Sequence, residues 1–178
     1  AAELAGLMVE DVAASPLAAA RAVLPKRHKE VGSILIDIGA GTSSLAVFEE
    51  GLPISLEVLP YGSDNITRDL AQGFRTSIDE AEDIKKNFSP SSPVSTRKQT
   101  AEIISARLSD IFELVNKHLK KIERVRLLPA GVVLTGGGAS ISDIASFAKD
   151  YLELPAQVGE FEEVRMPDGL DSKPWSVA

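Results

Sequence analysis

The chain has 178 residues, 44% of them hydrophobic and 25% charged, and 26 acidic against 19 basic side chains give a formal net charge of −7. That is enough for one domain or two small ones with a real core, and the acidic balance excludes a protein that holds nucleic acid by neutralising phosphates. Cysteine is absent, which excludes a disulfide scaffold, a thiolate zinc site and a cysteine nucleophile, and agrees with a reducing compartment.

In chain order, the first periodic stretch is Ala-rich and runs to Leu24, with Ser15-Pro16 as its start signal, so a helix is expected there. Lys26 to Glu30 reads as a charged connector. Three strand-like runs follow, Ser33–Ile38, Ser44–Phe48 and Ile54–Leu59, broken by "GAGT" and "EEGLP". Breaks this short and turn-rich predict antiparallel hairpins. After "PYGSDN" the period changes to that of a helix at Ile66, Leu70, Ala71 and Phe74. A capping box at Ser77-Ile78-Asp79-Glu80 opens another, with Ala81, Ile84 and Phe88 on one side. Ser89 to Thr96, rich in proline and hydroxyls, reads as a loop. Ile104, Leu108, Ile111, Val115, Leu119 and Ile122 then form the apolar stripe of a long helix. "AGVVLTGGGAS" reads as buried strand, glycine turn and helix start, and Pro155 stops the helix carried by Ile144, Ala148, Tyr151 and Leu152. Beyond Val158 the pattern fades. No run approaches the roughly 20 apolar residues that span a bilayer, and no signal-peptide pattern is present, so a soluble cytoplasmic domain is expected.

Two turns carry the candidate chemistry. Asp37 ends the first strand and is followed by Gly39, Gly41, Thr42, Ser43 and Ser44. Glycines allow close backbone approach, turn amides can form an anion-binding concavity, and a lone carboxylate can orient a hydrated Mg²⁺. The alternative is a hairpin turn with a capping aspartate. A dinucleotide fingerprint is excluded because a strand follows the glycines, and a phosphate loop of the Gly-Lys-Ser/Thr type is absent. Gly136, Gly137 and Gly138 sit between strand and helix, where an anion or a flat base could approach, or where only a tight turn is needed. Glu82 and Lys85, three apart on a helix, leave the same face and could bond ribose hydroxyls or form a plain surface ion pair. His28 and His118 read as solvated. Lys117, Lys120, Lys121, Arg124 and Arg126 read as the solvated end of the long helix.

Taken together, "ILIDIGAGTSSLAVFEEG", "LPYGSDNITRDLAQGFRTSIDEAEDIKK", "AEIISARLSDIFELVN" and "AGVVLTGGGASI" resemble the actin-like ATPase superfamily, and within it the FtsA family of bacterial cell-division proteins. The resemblance runs over roughly residues 4–178. It implies an α/β fold of the actin-like (ribonuclease H-like) type, a mixed sheet with an inserted helical subdomain. Residues 1–30 would close a first domain and cross over, 31–61 with 128–178 would form subdomain 2A, and 62–127 the inserted subdomain 2B. The first phosphate loop and a membrane-targeting C-terminal helix of the family are expected to lie outside this stretch.

The resemblance also implies ATP and Mg²⁺. Asp37 would orient the metal through water, and Gly39, Gly41, Thr42 and Ser43 would meet the β- and γ-phosphates. Gly62, Glu82 and Lys85 would approach ribose and adenine, with Gly136, Gly137 and Gly138 beneath base and α-phosphate. The implied partner is the C-terminal tail of the tubulin-like protein FtsZ, at Arg107 with Asp110 and Asn116. Self-association into actin-like filaments, and a place at the inner face of the cell membrane at the division site, are implied as well. Where the family hairpin reads Gly-Gly-Gly-Thr-Thr-Asp, this chain has Gly39-Ala40-Gly41-Thr42-Ser43-Ser44. Both changes weigh against hydrolysis more than against binding, and this stretch alone is expected to be inactive. The PilM-like scaffold of type IV pilus assembly is the alternative resemblance.

Overall fold

The computed structural model describes residues 3–89 and 94–160. Its centre is a five-stranded mixed sheet. Strands β1 (Ser33–Ile38), β2 (Ser43–Glu49) and β3 (Leu52–Leu59) form an antiparallel meander. β4 (Gly131–Thr135) and β5 (Ala156–Val158) add parallel strands on the other side of β1, giving the order β3-β2-β1-β4-β5. A strand covered on both faces needs apolar side chains at every position. β1 and β4 meet it through their centres, where Ile34, Leu35, Ile36, Val132, Val133 and Leu134 are all fully buried.

One face of the sheet presents Ile34, Ile36, Ile38, Leu45 and Val47, the other Leu35, Ala46, Phe48 and Val133. Helix α1 (Ser15–Val23) covers the second face with Ala19, Ala20 and Val23. The first face carries α3 (Ser63–Phe74), α5 (Val94–Lys121) and α6 (Ile144–Leu152), so the molecule has a helix–sheet–helix section. Helix α4 (Ile78–Lys86) packs on α3 through Ala81. It opens with the expected box: Ser77 Oγ accepts from the Glu80 N–H, and Glu80 Oε2 accepts from the Ser77 N–H, both at 3.3 Å. On α5 the expected stripe is buried from Ile104 to Leu119, and Phe112 joins it, packing beside Phe147 and Tyr151 of α6 at centroid distances of 5.9 and 6.2 Å. Side chains of the inserted helices and of the sheet thus share a single core.

Four expectations change. The charged connector is a short helix, α2 (Lys26–Val31), opened by Pro25 and ended at Gly32 with φ 109°. The Ser89–Thr96 loop is cut short because α5 already begins at Val94, and residues 90–93 of that stretch lie outside the described residues. The glycine turn does not open α6 directly: Gly136 has φ 82°, residues 137–140 form a 3₁₀ turn, and α6 begins only at Ile144. Past Pro155 the chain adds β5, which no periodicity announced. The expected tail from Phe161 to Ala178 lies outside the described residues.

Candidate functional site

The hairpin between β1 and β2 is a tight turn in which the Gly39 N–H donates to the Thr42 carbonyl at 2.9 Å. Ala40, Gly41 and Thr42 are exposed, and a Cβ on Gly41 would meet nothing within 4 Å. Ser43 departs from expectation. It is buried, and its hydroxyl donates to the Tyr61 carbonyl at 2.8 Å rather than facing the turn's open side. Ser44 is buried too. The turn rests on the start of α3, where the Ser63 and Asp64 amides donate to the Gly39 and Ala40 carbonyls, each at 2.9 Å. Gly62 makes that seat possible, because a Cβ there would run into the Ala40 carbonyl. Its place is against the hairpin, not along the cavity described next.

Asp37 is half-buried at the end of β1, in register with Ser44 on β2 and Thr135 on β4. Its carboxylate makes no hydrogen bond or ion pair with the described residues, and burial pushes its pKa up. A Cβ on Gly136 would strike Asp37 Oδ1, and one on Gly138 would strike Ile38. These two glycines are therefore packing residues against β1. Gly137 alone of the three is exposed and open, with nothing within 4 Å of its Cβ position.

Gly137 and Gly138 form one wall of a cavity of about 350 Å³. The opposite wall is Glu82, Lys85 and Lys86 of α4, with Ser63, Phe88 and Ser142 between. Ser142 Oγ ties the walls together by donating to the Phe88 carbonyl at 3.0 Å. Glu82 and Lys85 are an ion pair at 2.6 Å, Lys85 almost fully buried and Glu82 about one-third exposed. Between them lies Thr67, a buried hydroxyl on α3 that donates to Glu82 Oε2 at 2.6 Å and accepts from Lys85 Nζ at 2.7 Å. Burial acts to raise the Glu82 pKa, but hydrogen bonds from Lys85 and Thr67 outweigh it and hold the carboxyl below its ordinary value. Sequence reasoning missed Thr67. A polar residue on the helix face of Ile66, Leu70 and Ala71 was the signal available.

A second concavity lies between α3 and α5, of about 450 Å³, lined by Asp69, Gln72, Gly73, Ile103, Arg107 and Asp110. Arg107 bonds Asp69 through Nε at 2.7 Å and Nη2 at 3.0 Å, reaches Asp110 at 3.1 Å and lies 5.5 Å from the Tyr61 ring centroid. Asp69 leads in holding this guanidinium protonated, raising its pKa further. Asn116 is not in this groove. Nine positions beyond Arg107 it falls on the opposite side of the helix, at about 100° per residue.

The histidines are not solvated. His118 is buried, with Nε2 2.9 Å from Ser55 Oγ and Nδ1 3.4 Å from Glu57 Oε2, and His28 is half-buried with its Nδ1 unpartnered. The basic cluster is also more engaged than expected. Arg124 donates to Glu49 at 2.6 Å, Arg126 pairs with Glu153, and Lys117 pairs with Glu113 at 2.7 Å. Among the described residues no group of three His, Asp or Glu side chains could hold a metal, and no helix is long and apolar enough to cross a membrane.

A family described as "Cell division protein FtsA" matches residues 34–174. The chain belongs to the FtsA family. It is 37% identical over 176 residues to the FtsA of Bacillus subtilis strain 168, covering 88% of this chain and 40% of that protein. With the FtsA of Neisseria meningitidis serogroup B it shares 35% identity over 184 residues, or 91% of this chain and 44% of that one. The chain thus spans less than half the length of these curated FtsA relatives. Among solved structures, MreB5 of Spiroplasma citri bound to ADP aligns with a TM-score of 0.74 at 19% identity, over 89% of this chain and 58% of that one. A PilM–PilN type IV pilus complex aligns at 0.70 and 22%, over 86% and 44%. At such identities the likeness is one of fold, and it makes the FtsA-family chain an actin-like α/β structure. PilM shares that fold, while the family is FtsA.

Proposed function

We propose that this chain supplies one side of an MgATP site in an FtsA-type cell-division protein. The observation that carries the reading is the cavity in which the inserted helix α4 and the glycine turn, about fifty residues apart, face each other through Glu82 and Gly137. Its volume suits a nucleoside, and the exposed turn residues Ala40, Gly41 and Thr42 suit the phosphates. Asp37, a carboxylate that belongs to no cluster of three possible ligands among the described residues, suits Mg²⁺ held through its own water shell. The metal would neutralise phosphate charge, and Asp37 would orient its waters. Ala40 and the buried Ser44 favour binding over hydrolysis. The test is a titration of isotope-labelled chain with MgATP followed by NMR. Saturable shifts at the amides of residues 39–42 and at Gly137 are expected. Shifts confined to other surfaces would end the reading.

The groove at Arg107 is read as the seat of the FtsZ C-terminal tail, with Asp110 at its rim and Asn116 outside the groove. The support is a concavity of about 450 Å³ that carries one partly exposed guanidinium. A labelled tail peptide should bind saturably by fluorescence anisotropy and lose binding with Arg107→Glu, while circular dichroism shows the variant still folded. Retained binding by the folded variant moves the tail elsewhere. In the whole protein these two sites would serve filament formation and tethering of FtsZ at the septal membrane.

A further inference from the structure

The sheet order ends at β3, so one hydrogen-bonding edge of that strand carries no neighbouring strand among the described residues. Proline, bulges and charges blunt the edges of natural sheets, and a long apolar edge without them pairs with other chains. β3 has such guards at its start. Pro53 has no N–H to donate, and a bulge interrupts the register between Val47 and Phe48 of β2. From Ser55 to Leu59 the register with β2 runs without a break. Leu56 lies opposite Ala46 and Val58 opposite Ser44, so both are on the face that α1 covers further in. There α1 seals Leu35, Ala46, Phe48 and Val133, while Ile54, Leu56 and Val58 stay 44, 42 and 58% exposed. The other flank of the strand is charged. Ser55 and Glu57 face His118 of α5, and a cavity of about 220 Å³ beside them is lined in part by Lys117 and Lys121.

We propose that this edge joins two copies of the chain, β3 pairing antiparallel with β3 of the second copy about a two-fold axis at Leu56. A strand paired with its own copy has few possible registers, and its side chains choose among them. Centred on Leu56, the apolar flank sets Leu56 against Leu56 and Ile54 against Val58, and the other flank sets Ser55 against Glu57. Centred one residue later, Glu57 meets Glu57, a destabilising pair of like charges. Centred one residue earlier, Glu57 meets Pro53, which cannot donate to the ladder. The Leu56 register also carries each Glu57 into the flank where the other copy holds Lys117 and Lys121, so the charges are complementary. A two-fold contact of this kind closes at two copies, unlike the head-to-tail contact of a filament, and does not rest on the filament reading. One strand pair covers less than the roughly 1,200 Å² at which stable interfaces begin, so the dimer is weak and forms at high micromolar concentration.

Because the chain has no cysteine, single cysteines report the contact directly. Leu56→Cys sets two thiols opposite each other on the axis, their Cβ atoms about 4.5–5.5 Å apart and a small shift from disulfide geometry. Leu52→Cys is the control. Leu52 is the more exposed, 66% against 42%, yet two copies of it would lie about 26 Å apart along the strands. With diamide as oxidant, the chain at about 100 μM should form covalent dimers about tenfold faster through position 56 than through position 52, the ratio expected of a millimolar effective concentration. If Leu56→Cys does not fold, a mixture of Ile54→Cys and Val58→Cys chains carries the same readout, and mixed dimers should form faster than either variant dimerises alone. Sedimentation of the wild type without nucleotide should show a mass that rises with concentration to the dimer and no further. Leu56→Lys, which puts two ammonium groups on the axis, should stay monomeric. Equal cross-linking rates at positions 52 and 56 overturn the proposal, as does a wild type that is monomeric at high micromolar concentration. Association that survives Leu56→Lys belongs to another surface and overturns it as well.

Discussion

Asp37 shows how one side chain can be set against the stability of its own fold. Burial disfavours its charged form and nothing among the described residues compensates. The native state therefore holds the proton more tightly than the unfolded chain, whose carboxyl keeps its ordinary 3.8. By that sign, stability is fully present below 3.8 and declines as pH rises through the raised native value. Asp37→Asn should raise the melting temperature at neutral pH, with the gain vanishing in acid; calorimetry at both pH values decides it. The glycines of the second turn divide in a similar way. Gly136→Ala places a Cβ against Asp37 at φ 82° and should cost about 2–4 kcal/mol in urea denaturation. Gly137→Ala meets open space and should change stability by no more than about 0.5 kcal/mol. Any nucleotide defect in the second variant would then be a defect of the site.

At the scale of elements, α5 and β3 are joined through His118, whose ring sits between Ser55 and Glu57 of the strand and near Lys121 of its own helix. Burial lowers its pKa, Glu57 opposes that, and Lys121 adds to it. The ring is then neutral in the native state, while the unfolded ring takes a proton on acidification through 6.5. The stability from this pair is present above 6.5 and is lost as pH falls from there toward the lowered native value. His118→Gln should flatten the urea midpoint between about pH 7 and 5 relative to wild type. A sequence reader sees His118 among lysines and calls it solvated, because register with Ser55 is a tertiary fact. The same limit explains α2 and β5. One has no apolar face to give it a period, and the other has only three residues. What was legible had a local cause: continuous apolar runs in β1 and β4, the box at Ser77, the stripe of α5. Of the site, the spacing of Glu82 and Lys85 and the second glycine turn could be read. Which glycine stays open, and which hydroxyl turns inward at Ser43 or bridges at Thr67, depended on partners from other elements.

For the whole molecule, the shared core of sheet and inserted helices implies one cooperative unit. Urea unfolding followed by far-UV circular dichroism and by the Ala81 and Val133 amides should give a single midpoint, and separate midpoints would make the insert a unit of its own. Charge acts at this scale as well. The hairpin's Gly39 and Ala40 carbonyls occupy the first amides of α3, so the positive end of that helix dipole is spent on the protein's own backbone. The chain's net charge of −7 then opposes the approach of a polyphosphate at long range. Encounter with metal-free ATP becomes a meeting of like charges that dissolved ions ease by screening, over a distance of about 10 Å at 0.1 M salt. Metal-free ATP should consequently bind more tightly as salt is added, adenosine should show no such trend, and the counter-ion of the nucleotide becomes its means of entry.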